Sequence, residues 1–287
     1  MSEKRRVEPA TPPAGKAPSE TAGLPYEAWD FVAKRYQEYW CPRFRPYWEA
    51  ALDGLQPASS GPIAVPGCGP GDEVFLLLKR HPDRSIVATD ASQAMIRLLW
   101  ASLRTSGASS VLASVGPAEN LSDFVRQAAG VFSSFCLQLL QSPIAALADW
   151  SLALRAGGAM AVLFWPRPPP GTVAERLQAA LTSVSGEERP DWEGQALESL
   201  SHLGLRLVRD EAVLHEMAHL SPEEYFDQLV ESGPLQVFKR RFGSSAVQES
   251  RARWLRDHGL ERKGGRWVHQ PAARLWVMEQ EERTEGH

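Results

Sequence analysis

From about residue 61 to residue 165 the chain alternates short apolar runs with longer stretches in which apolar residues recur every three or four positions. Apolar runs of a few residues bounded by Gly, Pro, Asp and Ser read as buried strands, and the three-to-four spacing reads as helix. Strands are predicted at 63–65, 85–89, 111–115, 130–134 and 159–165. Helices are predicted at 73–80, 92–104 and 143–154, and residues 155–158 read as a tight turn. Strand–helix repetition with such strands implies an α/β fold on a parallel sheet covered on both faces.

The flanks follow other patterns. Residues 26–48 hold nine aromatics (Tyr26, Trp29, Phe31, Tyr36, Tyr39, Trp40, Phe44, Tyr47 and Trp48), several of them spaced as on one helical face. Pro42 and Pro46 are expected to interrupt that helix. Beyond residue 170 come polar helices, a strand near 205–208 continuing towards Met217, a long helical stretch, and a last strand at 274–279. No internal repeat is present. The expected organisation is a disordered tail over 1–24, an aromatic-rich helical lid over 25–57, a cofactor-binding core over 58–170, and a C-terminal part over 171–287. This last part completes the sheet and caps the substrate.

Composition narrows the class. The 287 residues, 43% hydrophobic, are enough for a substantial core, and no apolar run reaches the roughly 18 residues that span a bilayer. Three scattered cysteines, Cys41, Cys68 and Cys136, suggest neither a disulfide framework nor a zinc cage, so a reducing cytoplasm is the expected compartment. A formal charge of −4 gives no general attraction for nucleic acid. One stretch is locally basic: Lys239, Arg240, Arg241, Arg251, Arg253, Arg256, Arg262, Lys263 and Arg266 outnumber Glu249, Asp257 and Glu261. It reads either as a solvated helical face or as a rim attracting an anionic substrate.

The chemistry centres on "VPGCGPGDE". A strand, then Gly67-x-Gly69-x-Gly71, then a helix suits a nucleoside cofactor, because absent side chains permit close approach and a helix start offers unpaired N–H groups. Asp90, ending the next strand, is placed to accept hydrogen bonds from ribose hydroxyls. The dinucleotide fingerprint wants a sixth-position glycine where Asp72 stands, and a carboxylate there would repel a pyrophosphate. No Gly-Lys-Ser/Thr follows, which excludes a triphosphate loop. A cofactor with a ribose and no phosphate fits, and S-adenosylmethionine is the common one.

These residues, with "VGPAENL" at 115–121, "FSSFCLQLL" at 132–140 and "LRAGGAMAVLFW" at 154–165, resemble the ordered motifs of class I S-adenosylmethionine-dependent methyltransferases. "FVAKRY" at 31–36 and "LSPEEYFDQLVESG" at 220–233 are similar to the small-molecule branch that includes the ubiquinone-type and type 11 enzymes. The resemblance implies a Rossmann-like, doubly wound, mostly parallel seven-stranded sheet with an N-terminal helical lid and a C-terminal helical cap. It also implies a cofactor site of Gly67, Cys68, Gly69 and Gly71 at the methionine end, with Asp90 at the ribose. Ala91, Met95, Ala118 and Glu119 would lie at the adenine, Ser134 and Phe135 near the sulfonium, and Tyr36 would belong to the lid. Two positions depart from the family. Val65 stands where an acid often binds the methionine amino group, and Pro117 where an acid often holds the adenine amine. Glu119 or Asp72 are the candidates to compensate.

His215-Glu216-Met-Ala-His219 matches the H-E-x-x-H zinc pattern, which needs both imidazoles on one helical face. Ser221-Pro222-Glu223-Glu224 starts a new helix with a Ser cap and a Glu three residues on. The pentapeptide is therefore expected to be extended, its histidines about 13 Å apart at roughly 3.3 Å per residue. No metal is expected. His215, His219 and Glu216 stand instead as candidate bases for a protic methyl acceptor. The expected activity is methylation of a small, fairly hydrophobic and possibly anionic molecule by a monomer or homodimer. The alternatives are an accessory protein without turnover, or sulfonium-dependent chemistry other than methylation.

Overall fold

The computed structural model describes residues 26–57, 60–257, 262–263 and 265–281; the expected tail lies outside them. Two helices, α1 (Tyr26–Tyr39) and α2 (Cys41–Leu52), come first. The alternating core follows: β1 (Ile63–Pro66), α3 (Asp72–Arg80), β2 (Ile86–Asp90), α4 (Gln93–Ser106), β3 (Val111–Val115), β4 (Ala128–Ser134), α5 (Pro143–Ala153) and β5 (Leu154–Phe164). Then come α6 (Val173–Ser185), α7 (Trp192–Ser199), β6 (Leu205–Leu214), β7 (Met217–His219), α8 (Pro222–Ser232), α9 (Leu235–Asp257), β8 (Arg262–Lys263), β9 (Arg266–His269) and β10 (Ala272–Gln280).

Seven strands form one sheet in the order β3-β2-β1-β4-β5-β10-β6. The pairs from β3 to β5 are parallel, and β10 runs antiparallel between β5 and β6. This is the Rossmann-like, mostly parallel seven-stranded sheet expected. Buried residues pack on both faces, with Ile63, Val65, Ile86 and Leu163 in one cluster and Ala64, Val131, Met160, Val162 and Trp276 in the other. Strand order reverses between β1 and β4, where open α/β sheets leave a crevice beyond the carboxyl ends. β7, β9 and β8 form a separate antiparallel sheet. No helix among the described residues is long and apolar enough to cross a membrane.

Local expectations were altered in three places. Pro46 lies inside α2 instead of interrupting it; the break falls earlier, around Trp40, and Pro42 occupies the first turn of α2, where its missing N–H costs no helix bond. Residues 155–158 do not separate α5 from its strand, because β5 starts at Leu154 and the four residues form a bulge: Leu154 pairs with Ala128, and pairing resumes with Ala159 opposite Gly130. α9 bends at Gly243, whose φ of 84° only glycine adopts readily. Of the basic stretch, Arg241, Arg251 and Arg253 are engaged by Glu187, Asp227 and Glu249, as a solvated helical face would be.

Candidate active site

All three loop glycines have positive φ (67°, 50° and 89°), but for different reasons. A Cβ on Gly67 would come within 2.3 Å of the Cys136 sulfur, and one on Gly71 within 2.3 Å of Leu99 Cδ1. A Cβ on Gly69 would meet nothing nearer than the Tyr36 ring at 4.0 Å. Gly67 and Gly71 are thus small because protein packs on them, and Gly69 faces open space. Asp90 closes the loop: its Oδ2 accepts from the Gly69 N–H and its Oδ1 from the Ser92 N–H, both at 2.8 Å. Each oxygen keeps lone pairs for a further donor. Burial pushes this carboxyl up to about 6, against the pull of the two N–H donors.

A cavity of about 300 Å³ opens over this loop. Ten of the residues expected at the cofactor line it: Tyr36, Gly67, Gly69, Asp90, Ala91, Met95, Ala118, Glu119, Ser134 and Phe135. Cys68 and Gly71 do not; Cys68 is fully buried beneath the turn and Gly71 caps α3 against Leu99. Trp29, Cys136, Leu139, Leu140 and Gln141 also line the cavity and were not foreseen. The segment 132–140 carried the signal for Cys136, Leu139 and Leu140, and Gln141 follows it directly, whereas Trp29 is brought over the cavity by the packing of α1.

The carboxyl that stands out beside this cavity is Glu73, in the first turn of α3. It is 4% exposed, and its Oε1 accepts from the Ser134 hydroxyl at 3.1 Å. Burial raises it to about 8. Val65 is buried within β1, as its strand position dictates. Asp72, a suggested substitute for an acid there, instead accepts from Gln37 at 3.2 Å.

A second cavity of about 610 Å³ adjoins the first, with Tyr36 lining both. Its walls are aromatic: Trp40 between α1 and α2, Phe44 from α2, Trp165 after β5, and Tyr225 and Trp267 from the far side. Phe135 forms part of the partition, stacked on Trp165 at 4.5 Å and touching Phe44 at 4.6 Å between ring centroids. It holds a φ of 52°, a left-handed conformation rare for an aromatic residue and common at functional sites. Arg176 and His269 bring polar groups to this wall. The Arg176 Nε is buried without a hydrogen-bond partner, while an Nη donates to the Gly171 carbonyl at 3.0 Å.

The H-E-x-x-H segment is extended, as expected: His215 and Glu216 follow β6, and Met217 to His219 form β7. Its two imidazoles have separate surroundings. The His215 ring packs edge-on to Tyr47 at 4.9 Å. His219 is buried, its Nδ1 2.7 Å from the Tyr39 hydroxyl and its Nε2 3.2 Å from His269 Nε2. Burial lowers His219 to about 2 and His269 to about 4, so both are neutral near pH 7. Neither His215, His219 nor the exposed Glu216 lines the two cavities. His269, which no motif marked, does. Among the described residues no group of three or more His, Cys, Asp or Glu is arranged to hold a metal ion.

The donor and acceptor set suits S-adenosylmethionine: a glycine with only open space before it, a buried carboxylate with spare lone pairs at the end of β2, and apolar residues such as Met95 and Ala118 on the cavity wall. Residues 63–158 match the family model described as a methyltransferase domain. By strand order, domain match and cavity, the chain has the class I S-adenosylmethionine-dependent methyltransferase fold. Over 68 residues it is 37% identical to the trans-aconitate 2-methyltransferase of Rhodopseudomonas palustris, covering 24% of this chain and 26% of that one. The match therefore spans about a quarter of that relative's length. Among solved structures it is similar to the YcgJ protein of Bacillus subtilis (TM-score 0.57, 12% identity, 82% of this chain and 98% of that one). It is also similar to the geranyl diphosphate C-methyltransferase of Streptomyces coelicolor (TM-score 0.53, 11% identity, 86% and 83%). A third likeness is to the [4+2]-cyclase SpnF (TM-score 0.53, 18% identity, 82% and 80%).

Proposed function

We propose that this protein transfers a methyl group from S-adenosylmethionine to a small, largely hydrophobic molecule. The observation that carries the reading is the pair of adjoining cavities sharing Tyr36: one is lined by ten of the residues expected at the nucleoside cofactor, and the other, larger and aromatic, is suited to an acceptor. When bound, the cofactor supplies a methyl group on a sulfonium that leaves as a neutral thioether.

The chain's own work is to bind, orient and exclude water. Asp90 offers lone pairs to the ribose hydroxyls, and the bare backbone at Gly69 lets the amino-acid portion lie close. Tyr36, Phe44, Phe135 and Trp165 enclose the junction, where aromatic faces favour a cation and water is kept out. α1, with Trp29 and Tyr36 over the openings, serves as the lid, and the segment after residue 171 as the acceptor cap. Arg176 supports an acceptor with an anionic group, since its guanidinium lies among apolar walls and forms no ion pair among the described residues. The name of the R. palustris relative, which points to a carboxylic acid, is consistent with this. The free thiols Cys41, Cys68 and Cys136 suit a reducing cytoplasm.

His215, His219 and Glu216 stay candidates for proton removal only through intermediaries, as none borders a cavity. His269 is better placed. The test is release of S-adenosylhomocysteine with a panel of aromatic and aliphatic acids and phenols, read with product mass. A gain of one CH2 in one acceptor, lost in Asp90→Ala, is the expected result. Cofactor binding without turnover across the panel would favour an accessory protein, and product without added CH2 would favour other sulfonium chemistry. Absence of binding to either cofactor form would end the proposal.

A further inference from the structure

A buried carboxyl needs a proton or a cation to balance it, because an isolated carboxylate in an apolar interior is strongly disfavoured. Glu73 meets no cation among the described residues. Among the described residues it forms no ion pair with lysine, arginine or histidine, and its one side-chain partner is the Ser134 hydroxyl. The titratable groups around it come from every neighbouring element: Tyr36 on α1, Cys41 on α2, Cys68 in the glycine loop, Asp72 beside it, Asp90 on β2 and Cys136 after β4. Each is an acid, neutral or anionic but never positive. Such a pocket selects for a positive charge brought from outside. Glu73 does not itself border the cofactor cavity; its partner Ser134 does, together with Gly67 and Gly69 of the glycine loop, so the carboxyl stands one hydroxyl behind the wall.

We infer that Glu73, held against the cavity wall by Ser134, is the counter-charge for the ammonium group of the cofactor's amino-acid portion, replacing the acid that Val65 displaces. The inference rests on the S-adenosylmethionine reading and adds a residue to it. Without cofactor, Glu73 keeps its proton, since burial places its titration near 8. On binding, the ammonium takes the proton's place and the proton passes to solvent. Cofactor binding below pH 8 is therefore coupled to the release of close to one proton, and affinity climbs about tenfold per pH unit until Glu73 is already ionised. Asp90, nearer 6, adds a coupling only at lower pH, and it faces a sugar that carries no charge.

The experiment is titration calorimetry of the full chain in buffers of differing ionisation enthalpy, between about pH 6.5 and 7.5. Three probes are used: S-adenosylmethionine, S-adenosylhomocysteine, which keeps the ammonium and lacks the sulfonium, and 5′-methylthioadenosine, which lacks the amino-acid portion. The expected result is release of close to one proton with the first two and none with the third. In Glu73→Gln the release disappears, affinity for S-adenosylhomocysteine at pH 8 falls by about tenfold or more, and affinity for 5′-methylthioadenosine stays as it was. Proton release equal for all three probes, or unchanged in Glu73→Gln, overturns the assignment. Binding of S-adenosylhomocysteine with no proton release in the unaltered protein overturns it without recourse to a variant. Failure of every probe to bind would instead remove the cofactor reading itself.

Discussion

At the scale of single residues, the glycine loop divides into glycines that serve the protein and one that serves the ligand. Gly71 holds a φ of 89°, and a Cβ there would collide with Leu99, so Gly71→Ala is expected to destabilise the fold by about 2 kcal/mol or more, read from urea midpoints. At Gly69 the same change meets open space and carries only the strain of its φ, about 1 kcal/mol. Its main effect should fall on cofactor affinity, lowered at least tenfold by calorimetry, because the methyl occupies the space the ligand needs. If Gly69→Ala bound cofactor as tightly as the parent, the cavity would be misassigned. The sequence pattern could not separate these roles, since all three positions read simply as glycine. Glu73 was hidden for a related reason. It sits beside Asp72 at a helix start, where two acids look like ordinary complements to the helix dipole, and only the packing of α1, α2 and β4 buries one of them.

At the scale of elements, the central strands β1 and β4 were legible because burial on both faces makes each a short apolar run; the edge strand β3, with only Ala113 buried, was nonetheless placed to the residue. Ser221 announced the start of α8 and caps it as expected, accepting from the Glu224 N–H; Ser92, read as the first residue of its helix, instead caps α4, accepting from the Met95 N–H. What stayed hidden was how distant elements close over the site. Asp30, on α1, accepts from the Ala94 N–H at 2.8 Å and the Ser92 hydroxyl at 2.6 Å, so an acid 62 positions away completes the cap of α4. This fastening sets α1 over both cavities and brings Tyr36 to their junction. Removing it in Asp30→Ala should lower stability by about 1 kcal/mol, the usual worth of a cap contact, and should weaken cofactor binding through Tyr36. Loss of stability with unchanged affinity would show that α1 plays no part in holding the cofactor. The second cavity was unreadable for the same reason: its walls come from α1, α2, α6, α8, β9 and the segment after β5, and no local spacing links Arg176 to His269.

At the scale of the whole molecule, buried titratable groups on the two sides of the acceptor cavity pull stability in opposite directions with pH. Glu73 and Asp90 have folded-state values raised to about 8 and about 6 by burial. Each contributes stability that is complete below its ordinary carboxyl range and is lost as pH rises through its folded value. His219 and His269 are lowered to about 2 and about 4, chiefly by burial, and the unfolded chain takes up their protons first as pH falls below about 6.5. Their contribution is complete above that point and is lost on the acid side. From these four groups the protein without cofactor should have its highest melting temperature at about pH 6.5, falling towards pH 8.5 as Glu73 ionises and staying nearly level between about pH 6 and pH 4.5, where the carboxyl and histidine contributions offset. S-adenosylhomocysteine should raise that temperature more at pH 8 than at pH 6, because its ammonium stabilises the ionised Glu73 that alone would destabilise the fold. Glu73→Gln should flatten the alkaline side and open a decline below about pH 6, where the histidines are no longer offset, whereas His269→Gln should change only the side below about pH 6.5. A melting curve set that declines towards alkali to the same extent in Glu73→Gln would assign the loss to other groups and would detach the cofactor cavity from the pH response of the fold.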